Sequence, residues 1–183
     1  MEKFGIPKVE REALYCFIGP PLLDMFQSEF GVSKEEAQTM LKLYREYFST
    51  KGLFENQVYP KVKETLKALK ERGATLCLAT SKPEIYAKEI LKHFDLAQYF
   101  TFIGGSTLEE TRTKKEDVID YVLAEAGIPK EATLMVGDRI YDIQGAHSRG
   151  LHAAGVLFGY GDREELKDAE YIFEEFDQLL NLA

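Results

Sequence analysis

The sequence contains no tryptophan and only two cysteines, Cys16 and Cys77, among its 183 residues. So few thiols, each inside an apolar segment, exclude a disulfide-stapled fold and a cysteine metal cluster. They read as buried free thiols of a reducing compartment. No apolar run approaches the ~20 residues that a membrane-spanning helix needs. The opening Met-Glu-Lys-Phe-Gly-Ile-Pro lacks the apolar core of a secretory signal. Internal repeats and low-complexity tracts are also missing. Positive charge is in deficit: 23 Lys and Arg stand against 31 Asp and Glu, a net charge of −8. That balance, with a pI of about 5.0, excludes sequence-independent binding of nucleic acid, which needs a basic surface. The expectation is a cytoplasmic protein, monomer or homodimer, with neither a membrane nor a nucleic-acid polymer as partner.

What is present is a composition 45% hydrophobic and 30% charged, suited to globular domains, in two textures. Residues 1–56 read as helical throughout. Glu2 to Ile6 resembles the end of a helix stopping at Gly5. Val9, Ala13, Leu14 and Phe17 recur at helical spacing up to Gly19-Pro20-Pro21, and Leu22, Leu23, Phe26 and Phe30 form a second stripe. Ser33 with Glu36 is a capping box opening a third helix, through Ala37, Met40, Leu41, Tyr44 and Phe48. From residue 57 to 183 helix and strand alternate. Strands are expected at 74–79, 102–103, 134–136, near 152–156 and at 171–173. Helices are expected between them, after Asp162 and at the C-terminus. Such alternation predicts an α/β fold with a Rossmann-like parallel sheet covered by helices on both faces.

The chemistry-bearing residues fall at successive strand ends. Gly137-Asp138-Arg139-Ile140-Tyr141-Asp142 follows a short apolar strand and opens a helix. Asp138 and Asp142 then either cap and charge the helix start or form an oxygen-rich site for a hard cation such as Mg²⁺. Thr80 and Ser81, before Pro83, either cap a helix or offer a hydroxyl and amides to an anion. Lys114 and Lys115 stand where a helix dipole disfavours cations, so they are either solvated or paired with phosphate and carboxylates. His93, His147 and His152 lack metal-ligand spacing and read as surface or helix-end residues, and Glu164 to Asp177 reads as a solvated face.

Taken together, Leu78-Ala79-Thr80-Ser81-Lys82-Pro83, Lys115 before Glu116-Asp117-Val118-Ile119, and the Gly137–Asp142 stretch resemble the second, third and fourth motifs of the haloacid dehalogenase-like phosphatases. Gly155 to Gly161 resembles the segment that follows in the phosphoglycolate phosphatase and 5′-nucleotidase branch. Gly19-Pro20-Pro21-Leu22 and Val58-Tyr59-Pro60 resemble that branch's helical cap and the return from it, with Lys61 where the family usually has glycine. The resemblance implies a helical cap at 1–56 and a core at 57–183. It implies a Mg²⁺-dependent phosphatase acting on a small phosphorylated metabolite, phosphoglycolate or a nucleoside 5′-monophosphate. Thr80, with Ser81, would bind the transferring phosphoryl group. Lys115 would neutralise it, with Lys114 the less favoured candidate, and Asp138 and Asp142 would serve the metal. On the cap, Arg45 either reaches the substrate or packs, and Pro20 either faces the site or breaks a helix.

One motif is absent. In the family an aspartate attacks phosphorus to give an aspartyl-phosphate, and a second, two residues on, protonates the leaving oxygen and then activates water. No Asp-x-Asp occurs in residues 1–183. Its strand lies in the family between the strands ending at Thr80 and Asp138. The expected explanations are a truncated fragment, a non-catalytic phosphate-binding or regulatory pseudo-phosphatase, a strand supplied by another polypeptide, or direct closure of the two flanking strands.

Overall fold

The computed structural model describes residues 2–10 and 12–182, without the side chains of Glu2, Glu12 and Cys16, and divides into two compact units, Met1–Asn56 and Gln57–Ala183. The expected Cys16 thiol therefore lies outside the described residues. In the first unit the Ser33 capping box forms. Ser33 Oγ accepts from the Glu36 amide at 3.2 Å and Glu36 Oε2 from the Ser33 amide at 2.9 Å. It opens helix Lys34–Phe48 (α2), which packs on Leu22–Phe30 (α1). Ile6, Met25, Phe26, Ala37, Met40 and Leu41 are buried between these elements, and the Phe17 ring stands edge-on to Phe30. The Val9–Phe17 stripe differs from expectation: it is a 3₁₀ helix over Glu12–Phe17. A segment bounded by Pro7 and Gly19-Pro20-Pro21 is short enough for the tighter turn.

The second unit alternates as the pattern predicts. Its helices are Val62–Glu71 (α3), Glu84–His93 (α4), Lys115–Ala126 (α5) and Ile140–Ser148 (α6). Its strands are Cys77–Pro83 (β1), Phe102–Ser106 (β2), Leu134–Gly137 (β3), His152–Val156 (β4) and Tyr171–Phe173 (β5). All pairings are parallel. β1 begins later than expected and runs on through Thr80-Ser81-Lys82 to Pro83. Its register against β2 breaks between Thr80 and Pro83. The expected helix after Asp162 is a run of turns, and the closing helix is 3₁₀ over Phe176–Asn181. In the turn segment Asp162 binds the Glu165 amide and Leu166 is wholly buried, so local capping and one anchor replace a helix.

The described strands form two sheets, β1-β2 and β3-β4-β5, rather than one. β1 and β3 do not close on each other, which removes that explanation for the missing first motif. Every residue of β1 and of β3 is partly exposed, whereas β4 is buried from Ala153 to Val156. Both sheets nevertheless rest on one core. Ala79 of β1 and Met135 of β3 pack against the cluster of Ile119, Leu123, Ile143, Ala146 and Leu151. Fully burying each isoleucine or leucine of the cluster stabilises by about 1.5–3 kcal/mol, and the cluster holds the two half-sheets over the same helices α5 and α6. Cys77, expected to be buried, is a half-buried free thiol on β1, and burial pushes its pKa up.

Candidate functional site

The site is built where the carboxyl ends of β1 and β3 meet the starts of α5 and α6. Lys115 is the first residue of α5; Lys114 is its exposed N-cap. Lys115 Nζ pairs with Asp142 Oδ1 at 2.7 Å and donates to the Ala79 carbonyl of β1, just before the break in its register, 3.2 Å away. The two side chains are only 10% and 9% exposed, and charges so withdrawn from water persist only when partnered. Asp142, with Glu116 and Asp117 in the first turn of α5, offsets the unfavourable cation at that helix start. The lysine stem has room because residue 145, inside α6, is glycine: a Cβ there would stand 2.7 Å from Lys115 Cγ. Interior helical glycine costs about 1 kcal/mol relative to alanine, a local irregularity that marks the close approach.

Asp142 has no oxygen to spare. Oδ1 faces Lys115, and Oδ2 accepts from the amides of Asp138 and Arg139, both at 3.1 Å. Asp142 therefore does cap its helix, as the simpler sequence reading allows, while also holding the lysine. Asp138 is more open. Its Oδ2 accepts from the Tyr160 amide at 2.8 Å, and Oδ1 makes no hydrogen bond among the described residues. Thr80 Oγ1 accepts from the Lys82 amide at 3.2 Å, within the irregular end of β1 that also carries Ser81. Burial pushes the Lys82 ammonium below the ordinary lysine range.

Three contacts, the last of them at the far end of β4 from the site, leave no periodic trace in the sequence. Glu165 Oε1 accepts from Arg139 Nε and from the Ile140 amide, each at 2.8 Å, and so caps α6 from a distant turn. Tyr59 packs edge-on to Phe158, with 5.1 Å between ring centroids, and its phenol is pushed up by burial and by the nearby Tyr160 and Asp138. Glu170 gathers two of the histidines that sequence leaves scattered: His147 Nε2 at 3.2 Å and His152 Nδ1 at 3.1 Å. The 164–177 segment is thus only partly the solvated face expected, because Glu165 and Glu170 are spent on backbone amides of α6 and β4. Arg45 lies on α2 and Pro20 in the bend before α1, both in the first unit.

Of the two aspartates, Asp138 is the one with an oxygen that makes no hydrogen bond among the described residues, whereas both oxygens of Asp142 are engaged. Among the described residues no group of three or more His, Cys, Asp or Glu side chains is arranged to hold a metal ion. One carboxylate, completed by water and substrate oxygens, is nonetheless the usual protein share of a Mg²⁺ site.

A hydroxyl, a nearly buried lysine and a carboxylate pair thus lie near parallel strands, on the side where open α/β sheets place their ligands. The family model described as haloacid dehalogenase-like hydrolase matches residues 1–156. The chain belongs to this family. A 5′-nucleotidase of Pseudomonas aeruginosa is 41% identical over 167 residues, covering 91% of this chain and 76% of that protein. A phosphoglycolate phosphatase of Mannheimia succiniciproducens is 29% identical over 195 residues, covering 100% and 87%. The crystal structure of a "predicted phosphatase" from Clostridium acetobutylicum superposes with a TM-score of 0.95 at 41% identity, covering 99% of this chain and 85% of that one. The parallel α/β architecture is therefore that of haloacid dehalogenase-like phosphatases.

Proposed function

We propose that this chain carries the phosphate- and metal-holding half of a Mg²⁺-dependent haloacid dehalogenase-like phosphatase, with the first unit as its cap and the second as its core. The carrying observation is Lys115, nearly buried and bound at once to the Ala79 carbonyl of β1 and to Asp142 in the first turn of α6. A cation fixed so firmly, next to the Thr80 turn, is preorganised to offset phosphoryl charge without reorganising at the moment of reaction. Thr80 and Ser81 bind phosphoryl oxygens through hydroxyl and amide groups. Asp142 holds Lys115 in place. Asp138 would hold Mg²⁺, which supplies Lewis-acid neutralisation of the phosphoryl oxygens when bound.

The substrate class is the small phosphate monoester. The names of the 5′-nucleotidase and phosphoglycolate phosphatase relatives support a nucleoside 5′-monophosphate or phosphoglycolate. Turnover through an aspartyl-phosphate requires the Asp-x-Asp that residues 1–183 do not contain. Beside it stands a second reading, a non-catalytic phosphate-binding protein. Phosphate release from a panel of monoesters with Mg²⁺ separates them, using this chain and a form lengthened by any in-frame coding sequence upstream of Met1. Hydrolysis by either form, lost in Asp138→Asn, supports the phosphatase. Mg²⁺-dependent phosphate binding without turnover in both forms supports the second reading. Neither binding nor turnover sinks both.

A further inference from the structure

The loop after β4 crosses directly over the residue that the proposed function gives to the metal. Its Gly161 amide donates to the Asp138 main-chain carbonyl at 2.9 Å, and its Tyr160 amide donates to Asp138 Oδ2 at 2.8 Å. Asp138 is thus held twice, once by backbone and once by carboxylate. The approach is too close for any side chain. A Cβ on Gly159 would stand 2.3 Å from Asp138 Cβ and Oδ2, and a Cβ on Gly161 would stand 2.2 Å from the Asp138 carbonyl oxygen. The loop is itself anchored where it leaves β4. The Leu157 amide donates to the Phe173 carbonyl at 2.9 Å, and the Phe158 ring sits edge-on to Tyr59 and Phe176.

We propose that Gly159-Tyr160-Gly161 is a positioning clamp for the metal ligand: it turns the Asp138 carboxylate so that Oδ2 is spent on an amide and Oδ1 alone is presented to the cation. This rests on the reading of Asp138 as the metal residue. It assigns roles to Gly159, Tyr160 and Gly161 that neither the fold nor that reading requires. A carboxylate free to rotate would offer a cation either oxygen or both. A carboxylate with one oxygen tied to a backbone amide would hold a cation through its other oxygen. Partners of this kind around a ligating group alter metal affinity by about 10–100-fold when removed. The two glycines act separately. A methyl at 159 meets the Asp138 side chain, and one at 161 meets its backbone carbonyl.

The test is calorimetric titration of Mg²⁺ into the 183-residue protein with inorganic phosphate present. It compares wild type, Gly159→Ala and Gly161→Ala with Gly73→Ala as control. Gly73 has φ +90 and open space around it, so alanine there strains the backbone without touching Asp138. The expected result is Mg²⁺ affinity about 10-fold or more weaker in the two loop variants, each still melting cooperatively, and unchanged affinity in the destabilised Gly73→Ala protein. In wild type, the Tyr160 and Gly161 amide resonances shift on Mg²⁺ addition while that of Gly73 does not, a readout independent of any variant's folding. Wild-type affinity in both loop variants, an equal loss in Gly73→Ala, or unmoved Tyr160 and Gly161 amides overturns the clamp alone. No Mg²⁺ uptake by wild type overturns the metal reading beneath it as well.

Discussion

Replacing Lys115 by methionine tests the geometry of the site through its energetics. The substitution keeps the stem that lies against Gly145 and deletes the ammonium. Asp142, only 6% exposed, is then left as a buried carboxylate without its cation. Removing one member of a buried pair costs about 3–5 kcal/mol. Asp142 keeps its two amide donors, at 3.1 Å each, so the expected loss sits near the lower limit, about 3 kcal/mol. With a urea slope of about 2 kcal/mol/M, that moves the unfolding midpoint down by about 1.5 M. Adding Asp142→Asn to Lys115→Met removes the orphaned charge and keeps an acceptor for the two amides. The double variant should recover most of the loss and so reveal strong coupling between the two positions. The assay is urea denaturation of wild type, both single variants and the double variant, followed by circular dichroism. A Lys115→Met protein as stable as one altered at exposed Lys167, or losses that simply add in the double variant, would refute the buried bridge and the preorganised cation argued from it.

Three further outcomes follow from particular contacts. The Glu170 carboxyl is pushed down to about 2 from its ordinary 4.5, first by the Ala153 amide and then by His147 and His152. A depressed carboxyl contributes stability above its unfolded pKa and loses it as pH falls toward the folded one. Thermal melts should therefore show stability falling between about pH 5 and pH 2, with a shallower fall in Glu170→Gln; equal slopes would exclude the contact. Lys61 sits at φ 64 and pairs with Glu175 and Asp177 on the surface. Lys61→Gly should raise the melting temperature, more at high salt where the lost pairs are screened anyway, and a fall at every salt concentration would contradict this. Amide hydrogen exchange should be faster in β1 and β3, each with one edge unpaired among the described residues, than in buried β4. Uniform protection across the three strands would show that the two sheets are joined.

Local features were readable before the structure, and long-range ones were not. The helical stripe of α5, through Val118, Ile119, Val122 and Leu123, is a repeating burial pattern, and the Ser33 box is a local hydrogen-bond motif; both appear as read. β3 to β5 were legible as short apolar runs between turn residues. Adjacency hid the choice between Lys114 and Lys115. Only the start of α5 at residue 115 and the space at Gly145 turn the second lysine inward. Glu165 and Glu170 resemble ordinary surface acids in sequence because the amides they bind belong to other elements. The Glu12–Phe17 segment and the turns after Asp162 carry a helical pattern too short to enforce an α-helix against flanking prolines, glycines and tertiary anchors. The division of the sheet at β1 and β3 follows from pairing partners, which strand composition does not encode.

The most direct measurement of the central claim is equilibrium binding of inorganic phosphate to this chain, with and without Mg²⁺, in wild type and in Asp138→Asn. The site described here predicts phosphate binding that strengthens with Mg²⁺ in wild type and loses that enhancement in Asp138→Asn. Phosphate binding that is absent, or equally Mg²⁺-dependent in Asp138→Asn, would contradict a phosphate and metal site at the ends of β1 and β3.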